Sequence, residues 1–216
     1  MPVAEIKICG LSTPETLEAA LAAGTDYTGF MFYEPSPRNI SLETARELRA
    51  QTGARAKKVA VTVDAGDEKL DLICEALGPD YIQAHGSETP ARVAEISRRT
   101  GVPVIKAIKV RDAGDIAAAA DFAGVAEMIL FDAKAPETLK DALPGGNGVS
   151  FDWSLMDSGQ DQPRFMLSGG LHAGNLQQAI EITRAPIVDV SSGVESAPGT
   201  KDSNLIRAFV SAAKRL

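Results

Sequence analysis

The chain has 216 residues, 44% of them apolar and 24% charged, enough for one well-buried core without covalent staples. With 22 Lys and Arg against 29 Asp and Glu the formal charge is −7, which argues against a nucleic-acid partner and requires any anion site to be built locally. The two cysteines, Cys9 and Cys74, show no CxxC or Cys/His metal spacing, and a reducing cytoplasm is the expected compartment. The first residues carry no basic-then-apolar signal pattern, and no apolar run reaches the ~18 residues of a membrane span, so neither export nor a membrane partner is expected.

Along the chain, short β-prone runs fall near 4–9, 27–32, 58–63, 80–84, 103–108, 127–131, 164–167 and 186–190. Each is rich in Val, Ile, Phe or Met and too short for a helix. Between them apolar residues recur at i, i+3 and i+4. Leu17, Ala20 and Leu21 follow the first run, behind a Thr13 cap and Pro14; Ala45 and Leu48 follow the second, behind Ser41. Leu70, Ile73, Cys74 and Leu77 follow the third, and Val93 and Ile96 the fourth. Further helices are predicted over 112–123, 136–142, 173–183 and 202–213, and Gly24, Gly53, Gly78 and Gly101 suit helix C-termini.

Strand alternating with helix predicts a parallel sheet, and eight right-handed units can close on themselves. The alternative is an open doubly wound sheet. Its glycine-rich dinucleotide loop is absent: the first turn reads Cys9-Gly10-Leu11, no GxGxxG occurs, and Gly193 to Lys201 only loosely echoes a Walker A loop. The prediction is one (β/α)8 barrel, a TIM barrel, spanning 1–216 as a single domain.

Such barrels place their chemistry at the C-terminal ends of the strands. There Lys7 and Cys9 share a face, as do Tyr81, Gln83 and His85, and as do Met128, Leu130 and Asp132. Cys9 has two readings: a small buried apolar side chain, or a base whose thiol, only about 3% ionised at neutral pH, a neighbouring Lys7 would help. Asp132 ends a core-facing strand, where desolvation favours the protonated form and suits a general acid; capping the next helix is its other reading. Arg38 follows two prolines and carries the planar fork that pairs with carboxylates, or else it is a solvated surface cation. Small residues close the last two runs, at Ser168, Gly169 and Gly170 and at Ser191, Ser192 and Gly193. Such turns let backbone N–H groups converge on a phosphate.

In this order the sequence resembles the phosphoribosylanthranilate isomerase family across nearly its whole length. The resemblance rests on 7–10 (KICG), 29–32 (GFMF), 36–38 (SPR), 83–86 (QAHG), 106–108 (KAI), 151–153 (FDW), 168–171 (SGGL), 188–195 (VDVSSGVE) and 199–202 (GTKD). Ala84, Asn147 and Ser168 stand where the family usually has a larger apolar residue, Thr and Ala. The family's reaction is an Amadori rearrangement in tryptophan biosynthesis that uses no cofactor and no metal.

The resemblance implies Asp132 as the acid that opens the ribose ring and Cys9 as the base at C2. It implies Arg38 on the anthranilate carboxylate, and Gly169, Gly170, Ser192 and Gly193 on the phosphate. His85 and Asp189 are implied as substrate contacts or site supports. The expected partner is a phosphorylated small molecule, on a monomer or homodimer. Two alternatives remain: a broader isomerase that also turns over the related histidine-pathway aminoaldose, and a noncatalytic phosphate-ligand protein on the same fold.

Overall fold

The structure is a computed structural model and describes residues 4–133, 145–146, 148, 150–156 and 164–216. Eight strands close into a parallel barrel in chain order: β1 (Glu5–Cys9), β2 (Tyr27–Met31), β3 (Lys57–Thr62), β4 (Tyr81–Ala84), β5 (Val104–Val110), β6 (Met128–Ala133), β7 (Phe165–Leu167) and β8 (Ile187–Val190). Closure is made by β1 and β8, where Glu5 to Ile8 pair in register with Ile187 to Val190. The open-sheet alternative is thereby ruled out.

Helices α1 (Pro14–Ala23), α2 (Leu42–Thr52), α3 (Asp67–Leu77) and α4 (Pro90–Thr100) follow the first four strands. Local chemistry sets their ends. Thr13, Ser41 and Thr89 accept the N–H three residues on, and Gly24, Gly78 and Gly101 turn left-handed at the far ends. The 112–123 segment is less regular: α5 (Ala113–Ala117) tightens into a 3-10 turn over Ala118–Phe122. None of its side chains is fully buried, so little packing holds an α-helix there despite the run of alanines. The helix predicted over 136–142 lies outside the described residues. Later come α6 (Leu176–Thr183) and α7 (Ser203–Ala213).

One element was not predicted. Residues 195–201, within the Gly193 to Lys201 stretch that only loosely echoes a Walker A loop, form a small antiparallel hairpin, β9 (Glu195–Ala197) with β10 (Thr200–Lys201). Among the described residues no helix is long and apolar enough to cross a membrane.

Strand alternation sorts the core in two. Cys9, Tyr27, Val59, Val61, Ile105, Ala107, Met128, Leu130, Met166 and Ile187 fill the barrel interior. The opposite parity, with Ile6, Ile8, Phe30, Ala60, Ile82, Ile129, Phe131 and Val188, packs under the helices. The predicted polar residues therefore belong to the interior stack. Lys7 and Gln83 are fully buried and Asp132 and Asp189 nearly so, an arrangement that is stable only if each is paired.

Candidate active site

The interior stack opens at the C-terminal ends of the strands into a cavity. Cys9, Arg38, His85, Asp132, Gly169, Gly170, Asp189 and Ser192 all line it. Six strand ends and loops far apart in sequence thus bring almost every predicted site residue to one mouth. Gly193 stands just behind the lining. Its Cα packs so closely on the loop after β7 that a Cβ there would lie 1.9 Å from the Leu171 carbonyl oxygen. Gly193→Ala is therefore expected to push the last two loops apart. It should lower unfolding stability by about 1–3 kcal/mol, read as a fall in the urea midpoint.

Beneath Cys9, Lys7 Nζ meets Asp189 Oδ1 at 2.8 Å, and Ser168 Oγ donates to Asp189 Oδ2 at 3.1 Å. Burial is the largest influence and opposes the Lys7 charge, but Asp189 and Cys9 together outweigh it and hold the ammonium above its ordinary range. Asp189 is thus the counter-ion of Lys7. For Cys9 burial wins: it pushes the thiol up, although the Lys7 ammonium pulls it down. Lys7 limits the rise rather than making a low-pKa thiolate.

This has a measurable consequence. In a Cys74→Ala background, Cys9 alkylation should rise with pH to an inflection above that of a free thiol. Lys7→Met should move the inflection higher still, because it removes the cation and leaves the Asp189 charge uncompensated. An unchanged or lower inflection contradicts the assignment.

Arg38 is buried, not a solvated surface cation. Its Nε and Nη2 donate to Glu195 Oε1 and Oε2 at 2.7 and 2.8 Å, and Nη2 also reaches the Gly146 carbonyl at 3.2 Å. The forked edge expected to face a ligand carboxylate is thus taken by the protein's own carboxylate. Nη1 has no partner among the described residues. Lys201 Nζ completes the cluster, donating to Glu195 Oε1 at 2.6 Å and to Ser191 O and Oγ. Burial alone would raise the Glu195 carboxyl, but Arg38 and Lys201 hold it below the usual range. Glu195 and Lys201 thus belong to the Arg38 cluster, although the sequence marks them only as members of the 188–195 and 199–202 motifs; the Pro198-Gly199 turn between them is the available sign of a hairpin.

On the opposite wall His85 stands between Gln83 and Asp132. Its Nδ1 lies 2.7 Å from Gln83 Nε2 and its Nε2 lies 3.3 Å from Asp132 Oδ2. Behind the wall, Lys106 Nζ bonds the Ala84 and Gly86 carbonyls and Glu88, whose carboxylate accepts from the Gly86 and Asp64 N–H groups. This buried network clamps the backbone on both sides of His85. Asp132 lies within β6 and engages His85; the helix it would cap in its other reading lies outside the described residues.

At the third side of the mouth, Gly169 and Gly170 have φ of 91° and 62°, consecutive left-handed residues that side chains other than glycine rarely allow. Their N–H groups, with that of Ser192, have no acceptor among the described residues. Asn147 lies outside the described residues.

The comparisons agree on one family. A sequence model described as N-(5'-phosphoribosyl)anthranilate (PRA) isomerase matches residues 6–212. The N-(5'-phosphoribosyl)anthranilate isomerase of Bradyrhizobium diazoefficiens is 55% identical over 210 residues, 97% of this chain and 93% of that protein. The crystal structure of phosphoribosyl anthranilate isomerase from Thermotoga maritima superposes with a TM-score of 0.87 at 36% identity, covering 99% of this chain and all of that one. A further crystal structure of the isomerase holds reduced 1-(o-carboxyphenylamino)-1-deoxyribulose 5-phosphate; it superposes with a TM-score of 0.85 at 34% identity, over 99% of this chain and all of that one. The chain belongs to the N-(5'-phosphoribosyl)anthranilate isomerase family.

Proposed function

We propose that the chain catalyses the Amadori rearrangement of N-(5'-phosphoribosyl)anthranilate to 1-(2-carboxyphenylamino)-1-deoxyribulose 5-phosphate, in tryptophan biosynthesis. The observation that carries this reading is the convergence of Cys9, Asp132, Arg38 and Gly169 and Gly170, whose N–H groups have no acceptor among the described residues, on one cavity. Asp132, as the acid, gives its proton to the furanose oxygen. The C1–O bond breaks as the anilino nitrogen lone pair forms a C1=N Schiff base. Cys9, as thiolate, removes the proton from C2, and the electron pair moves toward nitrogen to give the enolamine. Ketonisation adds a proton at C1 and releases the C2 hydroxyl proton. The sequence is an internal transfer of oxidation level from C1 to C2, so it consumes no oxidant or reductant.

The phosphate is assigned to the N–H groups of Gly169, Gly170, Ser192 and Gly193, and the anthranilate carboxylate to Arg38. With Glu195 on the other edge, that contact falls to Arg38 Nη1, and Glu195 fixes where it points. Binding both ends of the substrate holds the ribose between acid and base. Asp189 supports the site through Lys7.

Purified chain should convert N-(5'-phosphoribosyl)anthranilate with loss of its fluorescence, above the spontaneous rate. Conversion of the histidine-pathway aminoaldose alone would overturn the reading, and conversion of both would broaden it. Binding without turnover would make the chain a phosphate-ligand protein.

A further inference from the structure

The geometry points to Gln83 as a positioning residue for Asp132, acting through the tautomer of His85; this rests on the reading of Asp132 as the acid. Gln83 is fully buried in the barrel wall, and its Nε2 stands 2.7 Å from His85 Nδ1. An amide nitrogen can only donate, so Nδ1 is the acceptor and carries no proton. The neutral ring then bears its proton on Nε2, 3.3 Å from Asp132 Oδ2, and donates it there.

Asp132 Oδ1 has no partner among the described residues. One oxygen of the acid is thus held by His85 while the other is left to carry the transferable proton. When that proton leaves, the same Nε2–H contact becomes a charge-assisted bond to a carboxylate, which is stronger. His85 therefore favours the product side of the proton transfer. It cannot capture the proton itself, since Nε2 is already protonated and Nδ1 is covered by Gln83.

This orientation carries a cost at the amide's other end. Gln83 Oε1 is buried with no hydrogen-bond partner among the described residues, an uncommon and costly state for a carbonyl oxygen. Rotating the amide by half a turn would offer Oε1 to Nδ1 and demand the opposite tautomer. A bare Nε2 would then face Asp132 Oδ2, and only an acid proton on Oδ2, turned away from the cavity, could satisfy the contact. The orientation that leaves Oε1 unpaired is the one that keeps the acid's proton toward the substrate. The Lys106–Glu88 network holds the backbone on either side of His85, so the ring's tautomer, rather than its place, is what Gln83 controls.

The chain has two histidines, so His172→Gln in the full-length protein leaves His85 as the sole imidazole signal. Two-bond ¹⁵N–¹H correlation at neutral pH should show a protonated Nε2 and an unprotonated Nδ1. Gln83→Met should mix the tautomers and lower kcat by about tenfold, with KM within about twofold of wild type. An Nδ1–H or doubly protonated ring in the Gln83-containing protein overturns the proposal whether or not the variant folds. So does a folded Gln83→Met protein with unchanged kcat. If Asp132→Asn is inactive while Gln83→Met turns over normally, the positioning role alone falls. If Asp132→Asn keeps full turnover, the acid assignment beneath it falls as well.

Discussion

Cys9→Ser is expected to lower kcat by about a thousandfold, within the range that removing a positioned base costs, with KM little changed. The residue sits at the end of β1, only 6% exposed, and lines the cavity. Serine preserves the shape of the wall and the Lys7–Asp189 pair beneath it. What it loses is an ionisable group, since a serine hydroxyl does not deprotonate at working pH. The raised Cys9 pKa makes the conjugate thiolate a stronger base but a scarcer one, and Lys7 keeps that scarcity in bounds. Activity limited by Cys9 should accordingly increase with pH through and beyond the range of an ordinary thiol. A serine variant with near-wild-type kcat would remove Cys9 from the chemistry.

Asp132→Asn is expected to cost a similar factor, about a thousandfold in kcat. Asparagine is nearly isosteric and keeps a partner for His85, so the wall and the fold should survive. It has no proton to give to the furanose oxygen, and ring opening would then depend on water. The two variants fail at different steps: Asp132→Asn should stop before the Schiff base forms, whereas Cys9→Ser should permit ring opening but not loss of the C2 proton. A substrate bound to Cys9→Ser should therefore show reversible scrambling at C1 that the Asp132→Asn complex lacks.

Much of this architecture was legible in the sequence because a closed parallel barrel imposes two independent patterns. Strands buried on both faces appear as short runs of Val, Ile, Phe and Met, and helices reveal their caps at Thr13, Ser41, Gly24 and Gly101. Alternation then assigns Lys7, Cys9, Gln83, Asp132 and Asp189 to the interior, where the structure has them. Side-chain partnership was not legible, because it is set by closure. Arg38 and Glu195 are 157 residues apart, and Lys7 and Asp189 are 182 apart; both meet only when β8 returns beside β1.

Arg38 illustrates the limit. Residue type correctly marked it as a carboxylate-binding fork, yet the carboxylate on its Nε/Nη2 edge belongs to the protein. The irregular α5 segment shows the converse, since alanine-rich propensity did not yield a full helix without a buried face. His85 was readable as a mouth residue, but its place between Gln83 and Asp132 depends on the β4–β6 geometry across the intervening strand.

The central claim is that Cys9 and Asp132 are base and acid on one phosphoribosylated anthranilate. Its most direct measurement is enzymatic product formation from N-(5'-phosphoribosyl)anthranilate, corrected for the spontaneous reaction, by wild type, Cys9→Ser and Asp132→Asn side by side. The account predicts rapid conversion by wild type and rates at least about a hundredfold lower for each folded variant. No conversion by wild type, or wild-type rates from either variant, would contradict it.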